Sequence, residues 1–348
     1  MAGSGWWRAE TLQPTSQPPA DDPGVDGPRE RTVPARPFAR MPRRRRLAIA
    51  ALALLGAAVA ALYRPDLPPE ALRARYAPTP PSRFVRVQGM DVHYRDEGRG
   101  PTVVLLHGMG ASLHTWDGWT AALRDSLRVV RLDLPGYGLT GPFPHGRYDD
   151  ASYVAFLGDF LDAVGIARAS LAGNSMGGEI AWRFALAHPA RVARLVLVDA
   201  AGYPYGDAPP LFRLVGAPGV APLVTRLSPR WMYASNLRQV YADDAKVTDA
   251  LIDRYYLLTR RAGNREAFLR RALAADSFPF ARLRTLRAPT LVLWGAEDLW
   301  IPRAMADTFV AYVPGARAVV YEGVGHLPME EAPERSAADA RRFLLGGG

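Results

Sequence analysis

Polar and apolar positions fall into two patterns along this chain. Arg83-Phe84-Val85-Arg86-Val87 alternates, as a half-buried strand does, and Gly89-Met90 turns it into a second short strand, Asp91–Arg95. The later runs are largely apolar throughout: Thr102–Leu106, Leu127–Leu132, Leu195–Val198, Thr290–Trp294 and Ala318–Tyr321. A strand without alternation is what a parallel sheet covered on both faces requires. Between these runs the period changes. Tyr153, Val154, Leu157, Phe160, Leu161 and Val164 recur at helical spacing, and Gly165 stops the helix. Strand and helix alternate, which predicts a mostly parallel sheet with helices on both faces. The alternation breaks between Ala200 and Arg287. That span offers helical patterns at Val247–Arg261 and Arg265–Ala274 but no convincing buried strand. Residues 200–287 therefore read as a helical cap over the strand ends, inserted after the sixth strand. It divides the sheet-forming core into residues 83–199 and 288–348.

The N-terminal part follows a different pattern. Residues 1–46 are rich in Pro, Arg and acidic residues without periodicity, and read as a disordered basic tail. The tail ends in Arg43-Arg44-Arg45-Arg46, and Leu47–Tyr63 follows at once, apolar apart from small residues. Positive charge staying on the cytoplasmic side of an inserting apolar segment explains this pairing better than nucleic acid does. Residues 47–63 read as an uncleaved membrane anchor or a signal segment. The expected location is membrane-anchored with the catalytic part on the extracytoplasmic side, or exported. A start at Met41 would give a conventional short basic leader. Residues 64–82 carry Pro65, Pro68, Pro69, Pro78, Pro80 and Pro81, and read as a semi-rigid linker.

Composition excludes some chemistry. With no cysteine, there are no disulfides, thiolate metal sites or cysteine nucleophiles. The net charge of +9 lies partly in the tail, and Lys246 is the only lysine.

The informative stretch is Leu171-Ala172-Gly173-Asn174-Ser175-Met176-Gly177-Gly178, a strand running into a sharp turn and then a helix. The turn is G-x-S-x-G with Ser175 at its apex. A serine nucleophile needs its hydroxyl clear of the backbone, and glycines two residues to either side leave room for the tight turn. Its position at a helix start directs free N–H groups and the positive dipole end at the reaction. In a parallel sheet the site lies beyond the carboxyl ends of the strands. Two residues of the right chemistry follow strands there: Asp298 in Gly295-Ala296-Glu297-Asp298, and His326 in Glu322-Gly323-Val324-Gly325-His326. Imidazole titrates near neutrality, so His326 can take the serine proton and return it to the leaving group. Asp298 would fix the imidazole tautomer. Two backbone N–H groups should hold the oxyanion, those of Met176 and Met109, with Gly110 as the alternative to Met109. Asp199, which also follows a strand, is the rival to Asp298. His93, His114, His145 and His188 read as surface or packing residues. Trp231, Met232, Tyr233, Tyr255, Tyr256, Phe278, Phe280, Trp294 and Trp300 are candidates for a pocket wall that suits an apolar acyl group.

With these residues in place, the sequence resembles the α/β-hydrolase superfamily, in its capped lipase- and esterase-like branch. The likeness is carried by His107-Gly108-Met109-Gly110, Asp133-Leu134-Pro135-Gly136-Tyr137-Gly138, Gly173–Gly178, Gly295–Asp298 and Gly325-His326, and covers about residues 83–345. It implies an α/β fold with an eight-stranded sheet and the chain order Ser, Asp, His. His107 would hold the oxyanion loop, and Asp133 would shape the loop after its strand. The implied activity is cleavage of a small-molecule carboxylic ester through an acyl-enzyme, without metal, cofactor or nucleic acid. Epoxide hydrolases and dehalogenases of this superfamily use an aspartate where Ser175 stands. The alternatives are a C–C bond hydrolase of ring-cleavage products, a perhydrolase or acyltransferase, and a small-molecule receptor on the same fold.

Overall fold

A computed structural model of the chain describes residues 41–202, 225–274 and 279–347. Residues 1–40 and Phe278, for which the sequence carries expectations, lie outside the described residues.

The apolar runs become one eight-stranded sheet. In chain order its strands are β1 (Ser82–Val87), β2 (Met90–Glu97), β3 (Thr102–Leu106), β4 (Arg128–Leu132), β5 (Ala169–Asn174), β6 (Val192–Val198), β7 (Thr290–Gly295) and β8 (Arg317–Tyr321). Their order across the sheet is β1-β2-β4-β3-β5-β6-β7-β8. β2 pairs antiparallel with both β1 and β4, and every pairing from β4 to β8 is parallel. The parallel strands are apolar throughout because both their faces are buried. On β3, Val104 and Leu106 enter one core layer while Val103 and Leu105 enter the other. On β7, Val292 and Trp294 divide from Leu291 and Leu293 in the same way. The strand order reverses on either side of β3, which opens a crevice at the carboxyl ends of β3 and β5.

Between β6 and β7 the described residues form the helices Arg230–Val240, Asp249–Thr259 and Asn264–Leu273. A buried charge network fastens this segment to the core. Arg271 reaches Asp150 (2.6 Å) and Glu179 (2.9 Å), and Arg183 pairs with the same two carboxylates. Burial, then the neighbouring Glu179, push Asp150 up to about 6 despite both arginines. Removing one member of such a set strands the others, at a cost of about 3–5 kcal/mol.

Two N-terminal expectations change. The arginine run assigned to the tail is already helical: one helix spans Arg43–Leu62, directly after Pro42. Arginine is a good helix former, so the apolar helix extends back through the run. The most apolar 18-residue window of this 20-residue helix has a mean hydropathy of 1.8, and none of the helix's residues is buried. At about 1.5 Å per residue its apolar part, residues 47–62, runs about 24 Å, at the short end for crossing the hydrocarbon of a bilayer. The expected linker, in turn, is not a free spacer. Pro69–Tyr76 is helical, and its Leu72 is buried with Leu139 and Leu258. Asp66 pairs with Arg226 (2.7 Å) and Arg265 (2.5 Å), while Leu67 forms a β-bridge to Arg261. Prolines limit the chain's freedom, but the leucines and Asp66 between them find partners only in the tertiary structure.

Candidate active site

Ser175 stands between β5 and the helix Met176–Ala187 with φ 51° and ψ −119°, a strained conformation for a non-glycine residue. The neighbouring glycines make it possible. A Cβ on Gly173 would run into the Gly177 backbone, and one on Gly177 into the carbonyl oxygens of Leu106 and His107. The Ser175 N–H donates to the Val198 carbonyl (3.0 Å), and its carbonyl accepts from Ala201 (3.0 Å).

His326 lies on the loop after β8, and its side chain is almost fully buried. Its Nδ1 is 2.6 Å from Asp298 Oδ2. That bond leaves Nε2 for a substrate or the serine. Asp298 Oδ1 accepts the N–H groups of Trp300 (2.8 Å) and Ile301 (3.0 Å), which fixes the carboxylate from behind. The Trp300 ring lies over the imidazole at 5.8 Å.

Several residues hold the histidine loop. The His326 N–H donates to Val240 in the segment between β6 and β7 (2.7 Å). Glu297, adjacent to Asp298, turns away and accepts the N–H groups of Gly323 and Val324. Glu331 accepts from Gly325 (2.7 Å), Ala242 and Asp243, so one buried carboxylate ties the histidine loop to the inserted segment. Asn174 donates to the carbonyls of Val198 and His326. The sequence assigns no role to Asn174 or Glu331. No local pattern marks either residue, because their partners lie at distant positions in the chain.

The loop after β3 forms the opposite wall. His107 is fully buried, and burial holds it in the neutral form. Its Nε2 accepts the Leu134 N–H (2.9 Å), so Nδ1 carries the proton and donates to the Gly108 carbonyl (2.8 Å). This clamps the loop so close to the turn that a Cβ on Gly108 would lie 3.2 Å from that of Ser175. Met109 follows on this loop and lines the cavity that Ser175 and His326 share. Met176 opens its helix, where N–H groups have no intrahelical acceptor. Asp133 is structural in these contacts. It accepts the N–H groups of Leu113 and Leu139 and bonds His93. Burial opposes its charge, but His93, His107 and His114 outweigh burial and hold the carboxyl far below the usual range.

Ser175 and His326 line one cavity of about 370 Å³ together with Met109, and the inserted segment supplies most of the remaining wall. Of the expected aromatics, Tyr233, Tyr255 and Trp300 line it, as does Met232. Trp294 and Phe280 are core, Tyr256 is buried outside the cavity, and Trp231 is 65% exposed. His93 and His114 are buried in polar contacts, while His145 and His188 are exposed. Asp199 does not bond His326. It lies fully buried behind Asp298, and its Oδ1 accepts the Gly295 N–H at 2.9 Å.

Comparison with known proteins follows this geometry. A family model described as "Alpha/beta hydrolase family" matches residues 103–340. A 2-hydroxy-6-oxononadienedioate/2-hydroxy-6-oxononatrienedioate hydrolase of Cupriavidus pinatubonensis is 32% identical over 262 residues, 70% of this chain and 89% of that protein. Among solved structures, the meta-cleavage product hydrolase of Pseudomonas fluorescens superposes with a TM-score of 0.66 at 26% identity, over 76% of this chain and 98% of that one. A bacterial membrane phospholipase A, described as a virulence factor, superposes with a TM-score of 0.66 at 29% identity. It covers 87% of this chain and 99% of that one.

Proposed function

The chain belongs to the alpha/beta hydrolase family, and on that premise we propose that it cleaves carboxylic esters with Ser175 as nucleophile. One observation carries the reading: a serine on a strained strand-to-helix turn shares an apolar cavity with a histidine whose far nitrogen is bonded to a buried carboxylate. Ser175 Oγ attacks the acyl carbonyl as His326 Nε2 takes its proton. The tetrahedral oxyanion rests on the N–H groups of Met109 and Met176. His326 then protonates the leaving alcohol, and water repeats the sequence on the acyl-enzyme to release the acid.

The relatives include C–C bond hydrolases, so the alternative reaction is concrete. Two observations favour the ester. Arg265 is the one cation among the described lining residues, and it is already paired with Asp66 and bonded to Ser228, which leaves the wall poorly suited to an acidic substrate. The likeness to the membrane phospholipase also extends over more of the chain than that to the meta-cleavage product hydrolase. The test is turnover of p-nitrophenyl esters from acetate to palmitate by the full chain in detergent. The expected result is hydrolysis, with an optimum between butyrate and decanoate. A protein inert on the whole series that turns over 2-hydroxy-6-oxo-dienoic acids is a C–C hydrolase, and the ester reading is then lost.

The helix Arg43–Leu62, preceded by Pro42 and opening with four arginines, anchors the protein, with the arginines on the cytoplasmic side and the hydrolase on the extracytoplasmic side. The protein is expected to stay with membranes through an alkaline carbonate wash, and protease added to spheroplasts should cut it. Recovery of intact, protease-shielded protein in the cytosol contradicts this topology.

A further inference from the structure

Asp199 is a second buried carboxyl in the site, and the mechanism above leaves it without a task. Its backbone is left-handed at φ 43°, which aspartate tolerates better than most residues. The side chain has no solvent exposure. Oδ1 has its one hydrogen bond from Gly295, and Oδ2, equally buried, has no hydrogen-bond partner. An ionised carboxylate held this way would be left with one donor in a dry site, a costly arrangement. The neighbouring groups add no compensation. Asp298 after β7 and His326 after β8 lie beside it, Glu331 on the short helix Pro328–Glu331 adds a further negative charge nearby, and the Tyr321 phenol at the end of β8 is bonded to Asp339 instead.

Two carboxyls in one such pocket do not both ionise. Asp298 is the better-solvated anion, with two N–H donors and the His326 imidazole, against the single donor of Asp199. One carboxyl oxygen each of Asp199 and Asp298 and one ring nitrogen of His326 lie within 4.8 Å of one another. We propose that Asp199 is a positioning residue: a neutral carboxylic acid whose Oδ2–H donates to the Asp298 carboxylate and so fixes the group that orients His326. The inference rests on the reading of Ser175, His326 and Asp298 as the reacting set. The electrostatics agree with it. Burial, and then the Asp298 charge, hold the Asp199 carboxyl well above the usual carboxylate range against the pull of the Gly295 N–H.

The shared hydrogen draws charge from Asp298 and keeps its second oxygen aimed at the imidazole. Removing the donor therefore concentrates negative charge opposite His326 and favours the imidazolium, which carries the acid limb of kcat/KM to higher pH. An ionised Asp199 predicts the opposite for the isosteric amide, since Asp199→Asn would then delete a charge and carry the limb to lower pH. The amide keeps a donor in the same place.

The experiment measures kcat and KM for p-nitrophenyl butyrate from acid to alkaline pH, on the full chain, for wild type, Asp199→Asn and Asp199→Leu. The expected result is that Asp199→Asn retains activity within about threefold with its acid limb unmoved. Asp199→Leu loses about tenfold in kcat at unchanged KM, with the limb raised by about half a pH unit or more. A limb lowered by about one unit in Asp199→Asn overturns the proposal, and so does an Asp199→Leu enzyme with wild-type kcat and profile. Infrared difference spectroscopy of wild type against Asp199→Asn decides independently of turnover and of how Asp199→Leu folds. A protonated carboxyl C=O band at neutral pH is expected, and its absence overturns the proposal. A wild type that hydrolyses no ester but shows the band sinks the ester reading alone.

Discussion

Exchanging Ser175 for alanine is expected to lower kcat on a p-nitrophenyl ester by about 10⁴- to 10⁶-fold while the protein stays folded. The size follows from the chemistry. Ser175 shares the cavity with His326 and packs against the loop of Gly108 and Met109. Without the oxygen no acyl-enzyme forms, and only binding and the oxyanion donors remain to accelerate attack by water. Folding should be spared, because the turn is held by backbone bonds from Ser175 to Val198 and Ala201 and by the glycine contacts around it. Alanine keeps the strained backbone without the hydroxyl. The paired measurement is kcat with the thermal unfolding midpoint. Residual activity within about tenfold of wild type, at an unchanged midpoint, removes Ser175 from the mechanism.

The second large effect is expected from Asp298→Asn, a loss of about 10⁴-fold in kcat with little change in KM. The amide can keep the bonds from Trp300 and Ile301 through its oxygen, so the loop should persist. It would then present an NH₂ to His326 Nδ1, where a carboxylate now accepts at 2.6 Å. That selects the other tautomer, which puts a proton on Nε2 and leaves His326 without the lone pair it needs towards Ser175. Asp298→Asn and Asp199→Asn are thus the same chemical change on adjacent carboxyls with opposite expected outcomes. Equal losses in the two variants would mean that the site needs their combined charge and that the orienting role is not confined to Asp298.

The two readings of the chain agree most closely on the sheet. All eight strands stand where the alternating pair and the apolar runs lie, and the order Ser, Asp, His places each residue just beyond a strand end. The agreement has a local cause. Strand and helix periods are written in residues a few positions apart, and the tight turn at Ser175 needs glycine at positions that can be read directly. The linker was harder to read. Its prolines suggested a spacer, yet Leu72 and Asp66 are held by Leu139, Leu258, Arg226 and Arg265, residues that no window along the chain brings together.

The sequence by itself determined the parallel sheet, the inserted helical segment, the apolar N-terminal helix and the residue types at the strand ends. Each of these follows from periodicity or from the steric demands of a single turn. Only the tertiary structure shows that His326 bonds Asp298 and not Asp199. Both follow a strand, both are acidic, and nothing in their neighbours along the chain ranks them. The choice depends on which carboxylate the histidine loop can reach. Gly295 and Gly325 set that, approaching so closely that a Cβ on Gly295 would run into the Gly325 carbonyl. The same holds for Glu331 and Asn174, whose work is to satisfy backbone groups of the histidine loop and the inserted segment. A buried polar group needs partners in space, and its position along the chain does not specify them.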